Sequence, residues 1–357
     1  MKAQSIVISL ALLLETVNGN LSLNTCDRIL QHGYPCENYT VTTQDGYLPT
    51  LFRTPGNPRG REKQNEVKSP PVLLMHCLLC SSDVFVLNGP NDGLPFMLAA
   101  GGYDVWFGNA RGNTYSQRHI YLSPTSEKFW AFSLDEIALI DLPTTIEYIL
   151  AATNEQKLHY IGYSQGSTIF MMLQCAKPEY GQKIMTSHLM APTVFMRHVR
   201  SPIFLYLVPL LGPPSDAANF LGTFPMQNVM GMIRILGWRL CNSPPMDTHL
   251  PDFLLTTPAD GSNLQIYQYL QFSLTGEFKA YDYGLQKNIL KYEESKPPVY
   301  NLENIQTDLP IEFYFADNDY LATTKDLQDL HDLIGEKGNW NRVKLKKFNH
   351  FDFLASQ

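Results

Sequence analysis

Charge is scarce in this chain. Only 17% of its 357 residues are charged, the formal net charge is −7, and the lysines and arginines gather into no basic patch. Nucleic acid and anionic membrane surfaces call for a concentrated positive field, so neither is expected as a partner. Cysteine is also scarce. Cys26, Cys36, Cys77, Cys80, Cys175 and Cys241 are an even number, but too few to serve as the scaffold of so long a chain. Repeats and low-complexity tracts are missing, which excludes solenoids and arrays. The apolar run Ile6–Leu14 falls short of the roughly 20 residues a bilayer span requires, so no transmembrane segment is expected.

That run reads instead as the core of a secretory signal over residues 1–19. Lys2 supplies the positive start, and Val17 and Gly19 are the small residues at a cleavage site. The mature chain then begins near Asn20, in an oxidising compartment. Asn20 and Asn38 each open a glycosylation sequon, and Cys26 and Cys36 flank a short loop across which they could pair.

The rest of the chain is 44% hydrophobic overall and long enough for a large core. "YTVTTQDGYLPTLFR" alternates around Asp45 and Gly46 as a hairpin does. "PPVLLMH", "YDVWFGN" and "LHYIGYS" are continuous apolar runs, the mark of strands buried on both faces. "SLDEIALIDLPTTIEYILAAT" lies between the second and third with mostly helical spacing. "LPIEFYFADND" and "RVKLKKFNH" are again strand then loop. Strands separated by helices predict an α/β fold with a largely parallel sheet. Residues 20–197 and 301–357 form its core. Between 198 and 300 the sequence turns apolar, Met-rich and broken by Pro and Gly, which predicts an inserted, mainly helical cap.

"LHYIGYSQGSTIF" carries the chemistry. Ser164 sits between Gly162 and Gly166, after a buried strand and before a helix, in the G-x-S-x-G pattern of a nucleophile elbow. A serine hydroxyl needs a base and an orienting carboxylate, expected downstream in the order acid, then histidine. His350 follows the last strand. Asp319 follows "IEFYFA", with Asp317 competing on the same loop. Backbone N–H groups of Leu78, in the loop after the first buried strand, and of Gln165, after the serine, are the candidate oxyanion donors. The C-x-x-C formed by Cys77 and Cys80 admits a redox or zinc reading, but it has no partner pair. No metal or organic cofactor is called for.

These words together resemble the acid lipases, the gastric and lysosomal group of α/β-hydrolases abundant in insects. The matching stretches include "HCLLCSS", "YDVWFGNARGNTYSQRH", "FWAFSLDEIALIDLP", "LHYIGYSQG", "GEFKAYDYG", "DNDYLA" and "FNHFDF", in order along nearly the whole mature chain. The resemblance implies Ser164 as nucleophile, Asp319 rather than Asp317 as acid and His350 as base. It implies a secreted or lysosomal hydrolase of long-chain fatty-acyl esters, such as triacylglycerols or cholesteryl esters, acting at a lipid–water interface. Apolar residues 203–240 suit a mobile cover over such a site. Asn109, Arg111 and Asn113 read as scaffold.

Three departures stand out. The family has glycine where this chain has Cys77; a left-handed backbone there would be strained by a Cβ and would misaim Leu78. Cys241 lacks the partner cysteine with which the family closes its cap. Only seven residues follow His350, where the family carries a further helix. A weakened or inactive lipid-binding relative, or a short-ester or thioester hydrolase, are the alternative readings.

Overall fold

The computed structural model describes residues 23–56, 69–201 and 256–355. Its strands are β1 (Glu37–Thr40), β2 (Thr50–Thr54), β3 (Pro71–Met75), β4 (Asp104–Phe107), β5 (Leu158–Tyr163), β6 (Ile184–Met190), β7 (Ile311–Ala316) and β8 (Gly338–Val343). They form one sheet in the order β1-β2-β4-β3-β5-β6-β7-β8. The β1–β2 hairpin and the β2–β4 pair are antiparallel, and every pair from β4 to β8 is parallel. This is the α/β-hydrolase architecture. Helices α1 (Thr25–Gln31), α2 (Leu94–Ala100), α3 (Leu134–Glu136), α4 (Leu142–Thr153), α5 (Gln165–Ala176), α6 (Asn263–Thr275), α7 (Leu285–Tyr292), α8 (Thr324–Ile334) and α9 (Asp352–Ala355) flank or follow it.

The continuous apolar runs have a simple cause: β3 is buried along its whole length and feeds two cores. Val72 and Leu74 pack with Phe52, Val105, Phe107 and Tyr163 on one face. Leu73 and Met75 face the other, among Trp106, Tyr160, Ile169 and Phe313. Each such side chain contributes roughly 1.5–3 kcal/mol through burial. β6 escaped the sequence pattern because "IMTSHLM" mixes Thr, Ser and His into a strand that is only partly covered. β8 begins and ends earlier than "RVKLKKFNH" suggests; residues 344–347 are exposed loop.

The helix expected over "SLDEIALIDLPTTIEYILAAT" forms, but with a π-helical turn, Ile137–Asp141, between α3 and α4. Pro143 explains much of it. Proline has no N–H for the carbonyl of Leu139 four residues back, and Lys177 Nζ donates to that oxygen instead at 2.9 Å. The wider turn carries Asp141, used below. Ser133 and Glu136 form a capping box at the helix start, and Asn154 closes its end in a left-handed conformation at φ 54°.

Most of the expected cap, including Cys241, Asn20 and the signal segment lie outside the described residues. α6 and α7, in the stretch expected to end the cap, are tied to the core by buried Asp135. This carboxylate accepts from Gln268 Nε2 at 2.7 Å, Tyr281 N at 2.8 Å and Tyr300 Oη at 2.8 Å. Burial pushes its pKa up, and these donors only partly offset that. Cys26 and Cys36 form a disulfide, and Cys175 is buried and free. Among the described residues no helix is long and apolar enough to cross a membrane.

Candidate active site

β5 ends at Tyr163, α5 begins at Gln165, and Ser164 makes the turn between them with φ 53° and ψ −110°. A non-glycine residue with positive φ is strained, and the surroundings must hold it there. Here the hold is tightness. A Cβ on Gly166 would lie 2.2 Å from Met75 O, and one on Gly162 2.7 Å from the Gly166 carbonyl carbon. Only glycines let the helix start this close to β3. Ser167 Oγ donates to Gly162 O at 2.9 Å, and Tyr160 Oη to Gly166 O at 2.7 Å. The serine oxygen thereby stands above the C-terminal ends of the strands, at the N-terminus of a 12-residue helix.

His350 reaches it from the loop after β8. Its Nε2 lies 2.9 Å from Ser164 Oγ and its Nδ1 2.8 Å from Asp319 Oδ2. The second oxygen of Asp319 accepts from Leu321 N at 2.8 Å and Ala322 N at 2.9 Å. Asp319 is fully buried, while Ser164 and His350 are 6% and 5% exposed. Asp317 turns away to pair with Arg342 on β8, at the surface. Of the two acids left open by the residues alone, the structure brings Asp319 to the histidine.

The Leu78 N–H donates to no described residue, and the Gln165 N–H is at the first helical position, where no intrahelical acceptor exists. Gln165 adjoins Ser164 at the start of α5, and Leu78 lies in the loop that follows β3. Cys77 does not occupy a left-handed backbone, so the strain expected of it is not there. Leu79, at φ 57°, takes the left-handed position of a turn that the Cys80 N–H closes on Cys77 O at 3.2 Å. The two cysteines of the C-x-x-C, Cys77 and Cys80, are joined to each other in a disulfide. Asn38 is exposed on the edge strand β1, open to a glycan.

The NARGN stretch braces this loop. Asn109 Oδ1 accepts from Ser82 N at 3.0 Å and its Nδ2 donates to Ser82 Oγ at 3.0 Å. Arg111, 1% exposed, forks onto Asp141 at 2.6 Å and Asp45 at 2.6 Å and lies over the Tyr47 ring. Burial opposes its charge, but the two carboxylates raise the guanidinium pKa above its ordinary value. Sequence reasoning missed three supports. Tyr163 Oη donates to His350 O at 2.7 Å, Arg200 Nη2 to Asp319 O at 3.2 Å, and Gln265 Nε2, on α6, to Gln165 Oε1 at 2.9 Å. None has a local signal, since each partner lies far away along the chain.

Comparison with known proteins fits this geometry. Residues 25–89 match the family described as the partial α/β-hydrolase lipase region, and residues 70–207 the α/β-hydrolase fold. The chain is 33% identical to Lipase 3 of Drosophila melanogaster over 99% of its length and 93% of that protein's. The chain belongs to the acid lipases. It is 35% identical to gastric triacylglycerol lipase of Bos taurus, over 94% of this chain and 88% of the relative. The solved structure of a candidate aryl esterase from Burkholderia cenocepacia superposes with a TM-score of 0.55 at 16% identity, over 89% of this chain and 93% of that one. That likeness shows the shared fold. This acid lipase is a carboxylic ester hydrolase.

Proposed function

We propose that the protein is a secreted lipase that cleaves long-chain fatty-acyl esters, triacylglycerols or cholesteryl esters, through an acyl intermediate on Ser164. The observation that carries this reading is the unbroken hydrogen-bond line from Asp319 through His350 to Ser164 Oγ. The bovine relative named for triacylglycerols supports the substrate class. The apolar, Met-rich composition of residues 198–300 supports reading them as a cap suited to a lipid substrate.

His350 Nε2 takes the proton of Ser164 as its oxygen attacks the ester carbonyl. The oxyanion that forms accepts from the N–H groups of Leu78 and Gln165, which is worth about 10²–10³ in rate per donor in comparable sites. His350 then protonates the departing alkoxide, and water, deprotonated by the same imidazole, releases the acid. Asp319 holds the imidazole in the tautomer that leaves Nε2 free and stabilises its charged form.

Labelling with a fluorescent fluorophosphonate and hydrolysis of an ester series, from acetyl to oleoyl, test the reading together. Labelling lost in Ser164→Ala and rates rising with acyl length support it. A folded wild type that takes no label would remove it, and a preference for acetyl esters or thioesters would move the substrate to short acyl groups.

A further inference from the structure

His76 is the first residue after β3, 2% exposed, and no part of the proton relay. Its ring is nevertheless fixed at both nitrogens. Nε2 accepts the main-chain N–H of Ala110 at 3.1 Å, and the Asn113 side-chain amide lies 3.2 Å from the same nitrogen. A nitrogen that accepts carries no proton, so the neutral ring has its proton on Nδ1. That N–H lies 2.8 Å from the carbonyl oxygen of Cys77. Burial keeps the ring neutral, its pKa pushed down to about 4.

The carbonyl of Cys77 and the N–H of Leu78 belong to one peptide unit. The unit is planar and trans, so the two bonds point in opposite directions, and whatever fixes the carbonyl aims the N–H. Cys77 O accepts twice, from His76 Nδ1 and from Cys80 N. The Cys77–Cys80 disulfide ties together the ends of the same turn. On the far side, Ala259 N donates to Leu79 O at 2.7 Å and Thr114 N to Ala259 O at 2.7 Å, which pins the turn to the end of the cap region.

We propose that His76 is a positioning residue of the oxyanion hole: through Nδ1–H on Cys77 O it aims the Leu78 N–H at the developing oxyanion, and the loop bearing Ala110 and Asn113 holds it in the required tautomer. This rests on the hydrolytic reading of Ser164. It gives the NARGN stretch a functional purpose beyond the scaffold role expected of it. A buried imidazole with both nitrogens engaged transmits the position of one loop to the peptide of another.

Two substitutions separate its nitrogens. The amide of Asn ends near the position of Nδ1, and that of Gln near Nε2. In His76→Gln the donor to Cys77 O is lost, and kcat on a long-chain ester falls about 10²-fold with KM little changed, the pattern of an interaction made mainly in the transition state. His76→Asn keeps that donor and recovers most of kcat. Affinity for a trifluoromethyl ketone, whose adduct with the serine carries the oxyanion, falls in step with kcat. Two results overturn the proposal: a folded His76→Gln with wild-type kcat, or a loss equal in both variants. If neither variant folds, nitrogen-15 NMR of selectively labelled wild-type protein decides. The Nδ1–H tautomer at neutral pH is expected, and an Nε2–H tautomer or a charged ring excludes the role. Ser164→Ala, assayed in parallel, keeps the readings distinct: residual activity there removes the hydrolytic reading, whereas its loss beside a fully active His76→Gln removes only the role of His76.

Discussion

The two halves of the proposed active site, the oxyanion side and the base side, are built differently. On the oxyanion side Cys77, Cys80, Ser82, Asn109, Arg111 and Asn113 are all buried. A disulfide, a forked arginine and a neutral histidine cross-link them. On the base side His350 sits at the end of a loop whose residues 344–347 are exposed. Its ties to neighbouring elements include Asn318 Nδ2 to Lys347 O at 3.0 Å, Tyr163 Oη to His350 O at 2.7 Å, and the link to Asp319. The difference follows the chemistry. An oxyanion donor is a backbone group whose direction must be imposed by its surroundings, whereas an imidazole needs two partners, one for each nitrogen.

The largest effects test whether the base side is as sparse as it looks. Ser164→Ala is expected to lower kcat about 10⁶-fold. Asp319→Asn lowers it about 10⁴-fold, because the amide favours the wrong tautomer of His350. Asp317→Asn, which loses only an exposed pair with Arg342, leaves the rate within about twofold, because water and salt screen such a surface pair. Steady-state assays on one ester decide all three. Equal losses at Asp317 and Asp319 would mean that the acid loop acts as a unit rather than through one carboxylate.

The next effect is on stability and belongs to the oxyanion side. The His76 pKa falls from 6.5 to about 4 on folding. As pH drops below 6.5 the unfolded chain takes up the proton first, so this histidine's contribution is intact above 6.5 and is lost as pH falls toward 4. The loss amounts to about 3 kcal/mol. Buried Asp83 and Asp135 act with the opposite sign, since burial raises their pKa values and they gain stability as pH falls. The measurement is therefore a difference: urea unfolding of wild type and His76→Asn at pH 7 and pH 4.5, with the wild type losing more between the two. Parallel pH dependences would mean that the ring is solvated and the oxyanion side less closed than its burial indicates.

The elbow and the order serine, acid, histidine were legible because each is a local pattern beside a buried strand. What was not legible depends on rotation and on distance. Asp317 and Asp319 are two residues apart on one loop, and what separates them is the fold: His350 Nδ1 and the N–H groups of Leu321 and Ala322 meet Asp319, while Arg342 takes Asp317. C-x-x-C spacing suits zinc, redox chemistry or a closed turn alike, and the choice rests on a left-handed Leu79 that spacing does not encode. The π turn keeps the apolar rhythm of an α-helix, so periodicity passes over it although Asp141 depends on it.

Removing the disulfide sharpens the comparison further. Cys77→Ala with Cys80→Ala frees a loop spanning three residues, which in the chain-entropy account costs about 2 kcal/mol. Thermal unfolding reads the loss. Most of kcat is expected to survive, because His76 and the Cys80 N–H still hold the Cys77 carbonyl. A collapse of kcat with little change in melting temperature would assign the aim of Leu78 to the covalent tie instead.

The smallest effect returns to the base side. Tyr163 lies at the end of β5, next to Ser164, and its buried hydroxyl donates to the His350 carbonyl. Tyr163→Phe removes that donor, keeps the ring and leaves one carbonyl unpaired, a change worth about 1 kcal/mol. On the oxyanion side so small a loss would be absorbed by the remaining cross-links. Here it falls on a loop with few others, so kcat should drop about tenfold, through misplacement of Nε2 by a fraction of an ångström. If Tyr163→Phe instead leaves kcat intact, the pair with Asp319 alone fixes the imidazole, and the base side is sufficient with even less than it has.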